Sequence, residues 1–145
     1  MQRIIENLTR QHKELVRTAT EMFGWLDAGK LRARGAGDVH RALLSLSGIL
    51  KVHLAMEDRS LYPNLVNHRD LQLRRLAVRF LDERAVLSAR YDDYKTRWHC
   101  TAAIEARPEA FIDETRQVLG IMWNRMKMED DVLHPEIVRV YAELS

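Results

Sequence analysis

The sequence predicts an all-α protein, an up-down-up-down antiparallel four-helix bundle built from two duplicated helical hairpins. Apolar residues recur at three- and four-residue spacing along nearly all of the 145 residues, and no stretch alternates as a half-buried strand does. The second observation is an internal repeat, in which residues 1–66 match residues 73–138 at an offset of 72. One hairpin in each half, joined by short connections, gives the bundle.

The first hairpin is predicted from two amphipathic segments. The first helix carries apolar residues at helical spacing and ends near Gly29. The run Gly35-Ala36-Gly37 interrupts the pattern, and Asp38 is a suitable N-cap for the second helix. That helix continues to about Val66, with Pro63 kinking or loosening its last turn.

The second hairpin follows a short polar turn. Its first helix begins near Leu73 and ends somewhere between Trp98 and Ala106. Pro108 suits the first turn of a fourth helix, because a helix needs no backbone N–H at that position, and this helix continues past Pro135.

Composition and charge are typical of a soluble globular protein and exclude several classes of function. A chain of this length fits one domain, residues 1–145, that can bury its own core. Acidic and basic residues are mixed and the net charge is +2, so electrostatics identifies no partner, and the acids among the arginines of the third helix disfavour a nucleic-acid surface. No apolar run approaches a membrane span or a signal peptide. The single Cys100 predicts a reduced, cytoplasmic setting.

Candidate metal ligands stand at matched positions of the two halves. His12 precedes His53 by 41 residues, and Glu57 follows His53 by four, so the last two share one helix face. At the offset of 72, Glu129 stands opposite Glu57. A histidine on a helix is more often a packed core residue than a ligand, and one His-x-x-x-Glu pair is common by chance. The repeated spacing favours a site, and two imidazoles with two carboxylates suit Fe, Mn or Zn.

At these residues the chain resembles the hemerythrin-like family in its bacterial form. The resemblance covers almost the whole chain and is carried by residues 11–15, 53–63, Leu87 and 129–135. It implies a bundle that holds two irons bridged by two carboxylates and that binds O2 or responds to oxygen, nitric oxide or redox state. It further implies a specific set of site residues: His12 and His53 as the terminal ligands of one iron, Glu57 and Glu129 as the bridges, and histidines for the other iron at positions 84 and 125.

The second half departs from that pattern at both histidine positions, where Arg84 and Arg125 stand instead. Arginine stays protonated and offers only donors, so it cannot ligate a cation. Two alternatives are open. The arginines point inward, hold Glu57 and Glu129 in ion pairs and supply roughly the charge of one ferrous ion. Otherwise they point outward or extend to the end of the bundle, and the site is lost.

The remaining histidines are not expected to complete a second metal site. His134 lies nine residues after Arg125, about half a turn round an ideal helix, at the position that Tyr62 has in the first copy. It is predicted to be a surface or packing residue, as are His40, His68 and His99.

Two functions from different classes follow. The first is a degenerate hemerythrin-like protein that binds at most one non-haem metal, iron or another divalent ion, and has a sensory or regulatory role; a diiron centre is disfavoured. The alternative is a metal-free helical regulator that binds a protein partner, because residues 117–119 and 125–130, with His53 and Arg59, are also similar to the regulator-of-sigma-D anti-sigma family. An enzyme is disfavoured, since half a site argues against oxygen activation by two irons.

Overall fold

The computed structural model describes residues 1–143, and within that range every regular element is a helix. Five helices follow one another, and two of them contain a π-helical turn. They are α1 (Gln2–Phe23), α2 (Ala36–Met56, then the π-helical turn Glu57–Leu61 and Tyr62–Leu65), α3 (Leu71–Arg97), α4 (Thr101–Ala106) and α5 (Pro108–Met128, then the π-helical turn Glu129–Leu133 and His134–Glu143). The predicted all-α class is confirmed. The predicted count of four is not, because the short α4 lies between the third and the last long helix.

The connection between α1 and α2 differs from the prediction. α1 ends at Phe23, before the expected end near Gly29, and a single helical turn (Ala28–Lys30) follows, capped by the Asp27 side chain, which accepts from the Lys30 amide at 2.9 Å. The chain then leaves helical geometry at Arg34, which has φ of 105°. Glycine is needed next, because a Cβ at Gly35 would lie 2.6 Å from the Lys30 carbonyl oxygen.

Two helix starts can be compared with the prediction. Asp38 is not the N-cap of α2: Gly35 occupies that position, and Asp38 lies in the first turn, where its charge favours the positive end of the helix dipole. Pro108 stands in the first turn of α5, as predicted. α3 is capped by Asp70, whose side chain accepts from the Leu73 amide at 2.9 Å.

Two apolar clusters fill the interior, and the four long helices pass from one to the other. α1 and α3 pass from the cluster around Leu8 and Phe80 to the cluster around Leu15 and Tyr91, whereas α2 and α5 pass in the opposite sense. The up-down-up-down order stays a prediction, which this alternation supports. Between the clusters lies a layer of buried polar side chains: His12, His53, Glu57, Glu129 and His134.

None of the helices described over residues 1–143 combines the length and apolar character that a membrane crossing needs.

Candidate metal centre

Each of the two acidic candidates opens a π-helical turn. Glu57 begins the turn Glu57–Leu61 in α2, and Glu129 begins the turn Glu129–Leu133 in α5. The two turns lie at the same place in the two halves of the repeat. In each half a proline, Pro63 or Pro135, is the second residue after the turn. A π-helical turn adds a residue to one turn of helix and is frequent at functional sites. It changes the direction in which every later side chain points, which affects His134.

Both candidate histidines direct Nε2 toward the centre of the polar layer and use Nδ1 for a neighbour. Nδ1 of His12 lies 2.9 Å from Oδ1 of Asp130, and Nδ1 of His53 lies 2.7 Å from Oε1 of Gln11. Hydrogen bonds of this kind fix the ring orientation and leave the other nitrogen for a metal. Nε2 of His12 is buried and has no hydrogen-bond partner.

The ligand atoms converge. One atom from each of His12, His53 and Glu129 lies within 4.8 Å of the others, and all three residues are buried. Glu57 joins this group from the side of His53, since its Oε2 lies 3.4 Å from Nε2 of that ring. That oxygen is also buried and has no hydrogen-bond partner. The structure therefore brings together the four residues that the sequence proposed as ligands.

The two carboxyl groups differ in pKa because they lie side by side. Burial raises the pKa of Glu57, but His53, Glu129 and the positive charge of Arg84 lower it more strongly, to about 2. Burial and the negative charge of Glu57 together hold the pKa of Glu129 well above its ordinary value. As pH falls, Glu129 is therefore the first of the two carboxyl groups to take up a proton.

Both arginines point inward, which decides between the two alternatives. The side chain of Arg84 is 12% exposed and that of Arg125 is 10% exposed. Nη1 of Arg84 lies 3.5 Å from Oε1 of Glu57, and Nε of Arg125 lies 3.7 Å from Oε2 of Glu129. These are the ion pairs that the inward alternative predicts, at distances too long for bidentate hydrogen bonds.

Each arginine makes its shorter contacts elsewhere. Arg84 lies 2.8 Å from Oδ1 of Asp58. Arg125 donates from Nη2 to the Tyr62 hydroxyl at 3.0 Å, and its Cζ lies 4.7 Å above the centre of the Phe80 ring. Both guanidinium groups are therefore held in the protein interior at the positions where the second half would need histidines.

His134 packs against the proposed site. Its ring stacks on His12 with centroids 5.9 Å apart, its Nδ1 lies 3.4 Å from Oδ1 of Asp130, and it is 4% exposed. The predicted packing role is confirmed. The prediction that His134 points half a turn away from Arg125 assumed an ideal helix. That assumption fails, because the π-helical turn Glu129–Leu133 lies between the two residues. The other three histidines lie outside the polar layer: His40 contacts the backbone of His99, and His68 accepts from the Asp70 amide.

Sequence reasoning missed three neighbours of the ligands: Gln11, Asp130 and Tyr62. Asp130 and Asp58 are identical at the offset of 72, and this identity was the available signal. Gln11 was among the residues that carry the family resemblance, but nothing in the sequence indicated that its amide contacts His53.

Comparison with known proteins bears on this geometry. The family model of the hemerythrin HHE cation binding domain matches residues 3–137. The chain belongs to the hemerythrin family. Neither the curated proteins nor the solved structures returned a match.

The residues of this hemerythrin-family chain include a buried group that could hold a metal ion. Two histidine Nε2 atoms and two carboxylates converge, and His12 Nε2 and Glu57 Oε2 are buried without a hydrogen-bond partner, as unliganded metal-binding atoms would be. At the place of a second ion stand Arg84 and Arg125, which offer donors only.

Proposed function

We propose that this chain binds a single non-haem divalent metal ion, iron or a similar ion, and serves a sensory or regulatory role. His12 and His53 would bind it through Nε2, Glu129 through a carboxylate oxygen, and Glu57 would complete the set. The observation that carries the proposal is the buried group of His12, His53 and Glu129, with Nδ1 of both rings already occupied by Asp130 and Gln11.

The arginines support a limit of one metal. A second ion would lie among the guanidinium groups of Arg84 and Arg125, whose two positive charges would repel it at short range in a buried layer. These charges also offset Glu57 and Glu129 in the metal-free protein. When bound, a metal ion would supply an open coordination position for a small ligand and, if it is iron, a reversible change of redox state. The residues around it would fix the ligand orientation and exclude bulk water.

Metal analysis tests this proposal. Protein purified without chelators, then loaded anaerobically with excess Fe2+ and desalted, should retain no more than one iron per chain. His53→Ala should lose that iron, because it removes a ligand nitrogen. His40→Ala is the matched control, since His40 lies outside the polar layer, and it should retain the iron. Two irons per chain with an oxo-bridge absorption band would contradict the limit of one, and no retained metal would contradict the site itself.

One observation favours the second candidate, a metal-free regulator that binds a protein partner. Val16 and Phe23 on α1 and Trp123 on α5 line neighbouring surface grooves, and their exposed fractions are 38%, 46% and 49%. Clustered exposed apolar side chains are typical of interaction surfaces. Trp123→Glu should abolish partner capture from a cell extract of the source while leaving metal content unchanged. Capture that depends on iron loading would instead favour the metal-sensing function.

A further inference from the structure

A small cavity lies beside the proposed metal position, on the side of the arginines. Its volume is about 70 Å3, which is room for roughly five water-sized atoms. Its wall is formed largely by apolar side chains of α2, α3 and α5, among them Leu54, Leu87 and Val118. Glu57, Glu129 and the two arginines also line it. The cavity therefore has an apolar part and a part that carries charge.

The arginines bring unused donors to this cavity. Nη1 of Arg125 is buried and makes no hydrogen bond, since its nearest carboxylate oxygen, on Glu83, is 3.8 Å away. Nη1 of Arg84 is also buried and without a hydrogen bond, although it lies 2.8 Å from Oδ1 of Asp58. Buried N–H groups without an acceptor are rare in folded proteins and cost free energy. Two of them around one cavity indicate a missing acceptor.

Charge determines which acceptor is suitable. With a divalent ion bound, Glu57 and Glu129 would neutralise it, and the charges of Arg84 and Arg125 would remain. The arginines also pair with Asp58 and Glu83. Each of these side chains is 58% exposed, so solvent screens its attraction for the arginine. The buried part of the cavity then carries a net positive charge, which one bound anion would offset. Without the ion, Glu57 and Glu129 face the two arginines directly and leave less net positive charge for a further anion.

We propose that this cavity binds a short-chain monocarboxylate of about four to six non-hydrogen atoms, such as propionate. Its carboxylate accepts from Nη1 of Arg125 and Nη1 of Arg84, and its alkyl part contacts the apolar wall around Leu87 and Val118. The inference deepens the proposed function, on which it rests for the charge of the bound metal. It identifies the arginines as an anion-binding pair as well as a replacement for the second ion.

The experiment uses the full chain with Co2+, whose visible absorption reports metal binding separately from anion binding. Propionate is titrated by calorimetry into the metal-free and the Co2+-loaded protein, with propionamide as the uncharged probe of the same size. The loaded protein should bind propionate at least tenfold more tightly than the metal-free protein and than it binds propionamide. Arg125→Gln should weaken propionate binding at least tenfold, since a buried charge-assisted hydrogen bond is lost.

Two further variants separate this effect from misfolding. Arg139→Gln changes another arginine of α5, whose side chain pairs with Glu136 and Glu143 away from the cavity, and it should leave propionate binding unchanged. Leu87→Trp should fill the cavity and abolish propionate binding while the Co2+ spectrum persists.

The outcomes distinguish this inference from the proposed function. If Co2+ binds but propionate binds no better than propionamide, or Arg125→Gln has no effect, the anion site is wrong and the metal site stands. If no metal binds, the proposed function is wrong. Propionate binding to the metal-free protein that Arg125→Gln weakens would then still support the arginine site, and its absence would overturn that site too.

Discussion

Removal of the Arg125 side chain should destabilise the metal-free protein by an amount that grows with pH. Besides a 3.8 Å pairing with the exposed Glu83, the side chain makes three interactions: it donates to the Tyr62 hydroxyl at 3.0 Å, it covers the Phe80 ring, and it lies 3.7 Å from the Glu129 carboxylate. Arg125→Ala loses the first two at any pH, at a cost of about 1–3 kcal/mol in the free energy of unfolding. Only the third depends on the charge of Glu129.

The sign of the pH effect follows from Glu129. Burial, and then the negative charge of Glu57, raise the pKa of Glu129 above its ordinary value, while Arg125 opposes that rise. Without Arg125 the folded-state pKa rises further. A carboxyl group with a raised folded pKa contributes stability that is fully present below its unfolded pKa and is lost as pH climbs through the folded pKa. The loss caused by Arg125→Ala should therefore grow as pH rises through the folded pKa of Glu129, toward about 3–5 kcal/mol, and should stay at about 1–3 kcal/mol below it.

Urea denaturation of the metal-free variants at pH 5 and pH 8 measures these quantities. Arg125→Ala combined with Glu129→Gln should recover part of the loss at pH 8, because no carboxylate is then left unpaired. Arg90→Ala, which removes an exposed arginine, should stay within about 0.5 kcal/mol of the parent at both pH values. An equal loss for Arg125→Ala at both pH values would refute the coupling to Glu129, and no loss at either would refute the burial argument.

Three further predictions concern the same layer. Arg84→His combined with Arg125→His should supply a terminal pair for a second ion and raise iron from one to two per chain by metal analysis; equal iron in parent and variant would contradict it. Asp130→Asn should weaken metal binding by about 10- to 100-fold in a chelator competition, since the His12 ring loses its charged partner, and an unchanged affinity would mean that this contact does not orient the ligand. Burial, and then the electrostatic effect of the neighbouring His12, lower the pKa of His134 to about 4. Because the unfolded chain takes up this proton first, the metal-free protein should lose about 3 kcal/mol as pH falls from 6.5 to 4, a loss that His134→Phe should remove in acid unfolding curves; the same loss in both proteins would argue against a buried, neutral His134.

The positions of the candidate ligands were predictable because helical spacing and the internal repeat act together. A helix places residues four apart on one face, so His53 and Glu57 had to be neighbours once the helix was assigned. The offset of 72 then placed Glu129 at an equivalent point of α5. These inferences need only a regular helix and a duplicated hairpin, and both can be read from the order of apolar residues.

The contacts of the arginines were not predictable, because they depend on distances across the bundle. Sequence alone left open whether Arg125 points inward, and its hydroxyl acceptor, Tyr62, comes from another helix. The orientation of His134 was lost for a different reason: a π-helical turn adds one residue, and the apolar pattern on either side remains helical. The end of α3 and the short α4 were unclear because that segment has too few apolar residues to define a period.

The residues of the polar layer are contacted by side chains from the opposite hairpin. Tyr62 of the first hairpin holds Arg125 of the second, and His134 of the second, at the position equivalent to Tyr62, stacks on His12 of the first. If the bundle were instead a symmetric dimer of two identical hairpins, every substitution would occur in both. The tyrosine that binds an arginine on one side would then also lie against the candidate histidine ligand on the other side. The divergence of the two halves thus requires that both be encoded in one polypeptide. Neither half can now replace the other, and a return to histidine at positions 84 and 125 would leave Tyr62 without the cation that it binds.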